Sequence, residues 1–142
     1  MSAATAPDTL RVLVVDDERS VLAFVARALR GAGYDVVVAT DGPEALQLVE
    51  AQPRPFDVFV VDVVMPQMRG DELGRRLRQQ DPDVKVLYFT GFSDRLFESR
   101  QSLWEHEAFI DKPATVRGLL EAVSLVLFGH TNGPGLSSPS AA

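Results

Sequence analysis

Apolar positions along the chain follow two rhythms. Five short runs are nearly unbroken: "RVLVV" (11–15), "DVVVA" (35–39), "FDVFVVD" (56–62), "VKVLYFT" (84–90) and "AFID" (108–111). They are rich in β-branched and aromatic residues and lack polar alternation, as strands covered on both faces do. The segments between them carry helical spacing. In "ERSVLAFVARALRGAG" (18–33), Val21, Leu22, Val25, Ala28 and Leu29 recur on one face before Gly31 and Gly33 stop the helix. Further helices are predicted over 41–52, 70–80, 93–105 (with Ser93 as cap) and 114–128.

Five strands alternating with five helices imply a parallel sheet with helices on both faces. Right-handed crossovers make it doubly wound. The expected organisation is a flexible lead over 1–9, one domain over 10–128 and a Gly/Pro/Ser-rich tail over 129–142.

Composition narrows the chemistry. The net charge of −6 argues against non-specific binding to nucleic acid or anionic membranes. With no cysteine, disulfides, thiolate metal sites and cysteine nucleophiles are excluded. His106 and His130 are too few for a histidine-rich metal site. The N-terminus lacks the basic start and apolar core of a signal peptide, and no run approaches the ~20 apolar residues of a membrane span. A cytoplasmic protein is expected. No helix-turn-helix or basic recognition helix is evident.

In doubly wound sheets, ligands bind beyond the carboxyl ends of the strands. Strand one ends in Asp16 and Asp17, strand three in Asp62, strand four in Thr90 and strand five in Lys112. Each alone is an ordinary turn or strand end; five on one rim are not. Packed carboxylates need a proton or a cation among them. Oxygen donors alone favour a hard cation, Mg²⁺ first and Mn²⁺ second. A lysine and a hydroxyl nearby suit the oxygens of a phosphoryl group. Neither GxxxxGK nor GxGxxG is present, so the group is not expected on a nucleotide. Aspartate can itself be a nucleophile. Asp62 is the candidate, with Asp16 and Asp17 on the metal.

The segments "VLVVDDE" (12–18), "VVDVVMPQMRGDEL" (60–73), "VLYFTGF" (86–92) and "AFIDKP" (108–113) together resemble the receiver domain of two-component response regulators. That resemblance implies a flavodoxin-like (βα)5 fold with strand order 2-1-3-4-5, the order the chemotaxis regulator exemplifies. It also implies roles. Asp62 would be the phosphoacceptor. Asp16, Asp17, Asp62 and the backbone carbonyl of Val64 would hold Mg²⁺. Thr90 would be the switching hydroxyl, Lys112 the phosphate partner and Phe109 the aromatic switch. The Lys112–Pro113 bond would be cis.

The donor would be a histidine kinase or a histidine phosphotransfer protein. The switched surface would span 93–105, 108–111 and 114–128, and a downstream protein would read it. Beyond self-phosphorylation and autodephosphorylation, no enzyme activity is expected. Phe109 departs from the tyrosine common at its position, and Ala114 replaces a larger apolar residue. Val64 and Phe92 flank the acidic site and are expected to shield an acyl phosphate from water. Trp104 or Phe97 is a candidate contact for a partner or a second copy in a homodimer. Rival readings are a receiver fold acting as interaction module or phosphate sink without a phosphorylation-driven output, and a small Mg²⁺-dependent enzyme using Asp62.

Overall fold

Unbroken β-branched runs need cover on both faces, and here they have it. The structure, a computed structural model, describes residues 9–51, 54–91, 107–112 and 114–129. Strands β1 (Arg11–Val15), β2 (Asp35–Ala39), β3 (Val58–Asp62), β4 (Val86–Thr90) and β5 (Glu107–Asp111) pair in parallel in the order β2-β1-β3-β4-β5. Helices α1 (Arg19–Gly31), α2 (Gly42–Ala51), α3 (Gly70–Gln80) and α4 (Val116–Phe128) cover the sheet. This is the flavodoxin-like order expected.

Side chains alternate across each strand. Val12, Val14, Val58, Val60, Leu87 and Phe89 therefore join Leu22, Val25 and Leu29 of α1 and Leu119 and Val123 of α4. On the other face, Leu13, Val15, Phe59, Val61 and Tyr88 join Ala45 of α2 and Leu73 and Leu77 of α3. Burying one such side chain stabilises by about 1.5–3 kcal/mol. An exposed pair such as Arg117–Glu121, at 3.0 Å, contributes at most ~1 kcal/mol. The two apolar layers therefore hold the fold.

Several boundaries differ from expectation for local reasons. Phe56 and Val84 are buried as predicted but precede their ladders. Just before β3, Asp57 already holds β1, its N–H donating to the Arg11 carbonyl at 2.8 Å, but its carboxylate accepts the Arg11 backbone N–H at 2.7 Å. β5 starts one residue earlier than expected, at Glu107. The last helix starts at Val116 and not at Ala114, because Thr115 caps it by accepting from the Gly118 N–H at 2.9 Å. The helix predicted over 93–105, and all but Thr9 and Gly129 of the lead over 1–9 and the tail over 129–142, lie outside the described residues. Among those described, no helix is long and apolar enough to cross a membrane.

The amino-terminal rim of the sheet carries a buried cation. Arg11 pairs with Asp35 at 2.9 Å, donates to the Arg54 carbonyl at 2.7 Å and lies 4.6 Å over the Phe56 ring. A buried guanidinium with these partners is satisfied and structural. The unbalanced charge is at the other rim.

Candidate functional site

The site follows from register. Val15 pairs with Ala39 on one side and Val61 on the other, so Asp16 and Asp62 leave neighbouring strands side by side. Asp62 pairs with Phe89, and Thr90 with Asp111, which sets Lys112 one step beyond β5. Behind Asp62 the chain turns sharply. Gln67 has φ 72°, an uncommon conformation outside glycine. Gly70 then starts α3 against β3: a Cβ there would lie 2.0 Å from the Asp62 carbonyl oxygen. Its N–H donates to the Val63 carbonyl at 2.7 Å.

Lys112 is the hub. Its Nζ lies 2.9 Å from Asp16 Oδ2, 3.2 Å from Asp62 Oδ1 and 3.5 Å from Glu18 Oε1. It also sits 5.6 Å from the centroid of the Phe89 ring. Asp16 is 1% exposed and Asp62 5%, while Asp17 is exposed. Asp16 Oδ1 accepts from the Glu18 N–H at 2.9 Å. Asp16 Oδ2 is buried and has no directed hydrogen bond, so its contact with Lys112 is one of charge.

One ammonium does not neutralise this cluster. Burial, then the charge of Asp16, pushes the Asp62 carboxyl up to about 7 against the pull of Lys112. Asp16 is raised as well, by burial first, against the Glu18 N–H and Lys112. Burial alone would lower the Lys112 ammonium. Asp16 and Asp62 outweigh it and hold Lys112 above the usual lysine range.

Asp16, Asp17 and Asp62 each offer an oxygen within 4.8 Å of the others. An all-carboxylate donor set, a buried oxygen lacking a directed partner and a carboxyl forced towards protonation fit a hard divalent cation.

The structure thus brings together Asp16, Asp17, Asp62 and Lys112, which come from three strand ends. Thr90 closes β4 at the same rim; its side chain is outside the described set. Val64 lies two residues past Asp62 and is 49% exposed. Phe109 is half-buried, its ring 5.6 Å from that of Tyr88 at a 37° tilt. Phe92, Phe97, Trp104 and Pro113, with its expected cis bond, lie outside the described residues.

Two features were not anticipated from sequence. One is the reach of Glu18 to Lys112. The other is a polar cluster behind Phe109. Arg78 and the Tyr88 hydroxyl both donate to Glu107 Oε2, the tyrosine at 3.1 Å. Burial, then the Glu107 charge, holds the Tyr88 hydroxyl protonated well above the usual tyrosine range. A Cβ on Gly74 would lie 2.1 Å from that hydroxyl. A glycine in mid-helix and a glutamate heading an apolar strand were the available signals.

Comparison with known proteins agrees with this geometry. Residues 12–124 match the response regulator receiver domain family. The chain is 32% identical over 117 residues to the response regulator receiver protein CpdR of Brucella abortus (strain 2308), covering 82% of this chain and 96% of CpdR. It is 36% identical over 116 residues to the sensor kinase CckA of the same organism, covering 82% of this chain but spanning only 12% of the kinase. Among solved structures, the response regulator protein TrrA of Thermotoga maritima, in complex with Mg²⁺-BeF, superposes with a TM-score of 0.73 at 28% identity, over 84% of this chain and all of TrrA (100%).

Proposed function

Because the chain belongs to the response regulator receiver domain family of two-component systems, we propose that it is a phosphorylation-dependent signalling receiver with Asp62 as its phosphoacceptor. The observation that carries this reading is the Lys112 ammonium held between Asp16 and Asp62 at 2.9 and 3.2 Å, beside an all-carboxylate donor set. The donor is a histidine kinase or a histidine phosphotransfer protein. An Asp62 oxygen forms a bond to phosphorus as the phosphorus–nitrogen bond of phosphohistidine breaks, and the electron pair of that bond returns to the imidazole.

Asp16, Asp17, Asp62 and the Val64 carbonyl would hold Mg²⁺, or Mn²⁺ in its place. When bound, the cation offsets the negative charge of the phosphoryl oxygens. TrrA, whose structure holds Mg²⁺-BeF, supports that assignment. Lys112 and the Thr90 hydroxyl bind the remaining oxygens. Thr90 moves towards the phosphoryl group, Phe109 turns into the space vacated, and the surface over 93–105, 108–111 and 114–128 shifts between two arrangements. A downstream protein, or a second copy, reads that surface. Water returns Asp62 to its free carboxylate with release of inorganic phosphate, and this is the extent of the chemistry. Residues 10–128 form the receiver, flanked by the lead and the tail, and the protein works in the cytoplasm.

The test is incubation with Mg²⁺ and acetyl phosphate, followed by intact-mass measurement. The expected result is a gain of one phosphoryl group that Asp62→Asn abolishes. No gain in mass would instead favour an interaction module without phosphorylation. Rapid turnover of an external phosphomonoester would favour an enzyme.

A further inference from the structure

Glu18 occupies the N-cap of α1 with φ −93° and ψ 115°, yet its side chain makes no capping hydrogen bond. That position favours Ser, Thr, Asp or Asn, whose short side chains reach the first-turn N–H groups. The Glu18 carboxylate is committed elsewhere, 3.5 Å from Lys112 Nζ. Its backbone is fixed by the same residue that binds the lysine, since Asp16 Oδ1 accepts from the Glu18 N–H at 2.9 Å. The space on this side of Lys112 is open: a groove of about 430 Å³ runs between Glu18, Val21, Phe24, Phe89, Lys112 and Ala114. Its described walls are apolar apart from the Ser20 hydroxyl, the lysine and Glu18. Among the described residues, three carboxylates share the ammonium, and Glu18, at 3.5 Å and on the open side, is the one that draws it towards α1.

We propose that Glu18 is a positioning residue for Lys112, holding the ammonium on the α1 side before phosphoryl transfer and opposing the approach of an anionic donor. The proposal rests on the reading of Asp62 as phosphoacceptor. On transfer, Lys112 leaves Glu18 for the phosphoryl oxygens, so each phosphorylation must break this contact. Glu18 is 62% exposed in its side chain. Its hold is thus weak and salt-sensitive. It tunes the rate and does not gate it.

The experiment measures the rate of Asp62 phosphorylation by acetyl phosphate at saturating Mg²⁺, by intact mass, at low and high salt. Glu18→Gln keeps the side-chain shape and removes the charge. It is expected to react about three- to tenfold faster than wild type at ~20 mM salt, with the ratio falling towards one at ~0.5 M. Glu18→Asp keeps the charge on a shorter stem and is expected to fall between the two. An unchanged rate in Glu18→Gln, a slower one, or an acceleration that persists at high salt would overturn the proposal. If wild type gains no phosphoryl group, the reading of Asp62 fails. If wild type gains it and Glu18→Gln matches wild type at every salt, only the role of Glu18 fails.

Discussion

Replacing Gly70 with alanine adds one methyl group where the structure has no room for it. The new Cβ would lie 2.0 Å from the Asp62 backbone oxygen, and 2.9 Å from both the Asp62 carbonyl carbon and Val61 Cγ1. Carbon and carbonyl oxygen approach to about 3.3 Å at closest. The first turn of α3 or the end of β3 must therefore retreat by about 1.3 Å. Neither moves easily. The Val61 side chain is fully buried, and the Gly70 N–H is bonded to Val63 at 2.7 Å. Overpacking that side chains can absorb costs about 1–3 kcal/mol. Here the obstacle is backbone, so the expected loss is about 3 kcal/mol or more, against a helix-propensity gain of at most ~1 kcal/mol.

The same chemical change at Gly31 meets nothing within 4 Å, at the end of α1. There alanine should be neutral or stabilise by up to ~1 kcal/mol. Urea unfolding of both variants measures the contrast, and phosphorylation by acetyl phosphate shows whether Asp62 has moved. Gly70→Ala is expected to unfold at markedly lower urea and to phosphorylate more slowly. A Gly70→Ala protein within ~1 kcal/mol of wild type that is phosphorylated at the normal rate would refute the claim that α3 is packed tightly against Asp62.

Lys112→Met leaves Asp16 and Asp62 facing each other. Breaking a buried pair usually costs about 3–5 kcal/mol, but Asp62 can relieve the repulsion by taking a proton. The expected loss in chelator at neutral pH is about 1–3 kcal/mol, partly restored by Mg²⁺; equal denaturation midpoints with and without Mg²⁺ would contradict it. Tyr88 gives a pH signature. Its native hydroxyl keeps its proton above the unfolded value of about 10, so the unfolded chain binds fewer protons and stability must fall as pH rises past 10, by up to ~1.4 kcal/mol per pH unit. Tyr88→Phe should flatten that decline in urea titrations from pH 9 to 11, and identical slopes would dismiss the idea. Val64, half exposed beside Asp62, is expected to shield the acyl phosphate from water. Val64→Asn should shorten its lifetime several-fold when loss of mass is followed, and an unchanged or longer lifetime would sink the shielding role.

How much could be read from the sequence depends on whether a signal is local. The β-branched runs located all five strands, since burial on both faces leaves no polar alternation to confuse. Asp16, Asp17, Asp62 and Lys112 were legible because a parallel sheet places every strand end on one rim. Boundaries were less so. Phe56 and Val84 are as apolar as their strands, and only the hydrogen bonds of Asp57 and the cap of Thr115 reveal where the ladder and the last helix begin. Glu107 with Arg78 and Tyr88 was invisible for a different reason. These residues lie 29 and 19 positions apart and meet only once α3 packs on the sheet. The reach of Glu18 is similar: an acidic residue after two aspartates looks like a helix start until Lys112 arrives from the far end of the chain.

That distance has a temporal consequence. Asp62 and Lys112 are 50 residues apart in sequence, and Asp16 and Asp17 lie earlier still. During synthesis the acceptor emerges long before its counter-charge. Until β5 docks, the aspartates face one another with no ammonium between them, and any phosphoryl group would lack one of its holders. The charge balance of the site is therefore complete only once the last strand is in place. If Asp62 accepts phosphate as proposed, a half-folded copy would hold that carboxylate without the ammonium beside it, and is expected to take up phosphate more slowly than the finished molecule.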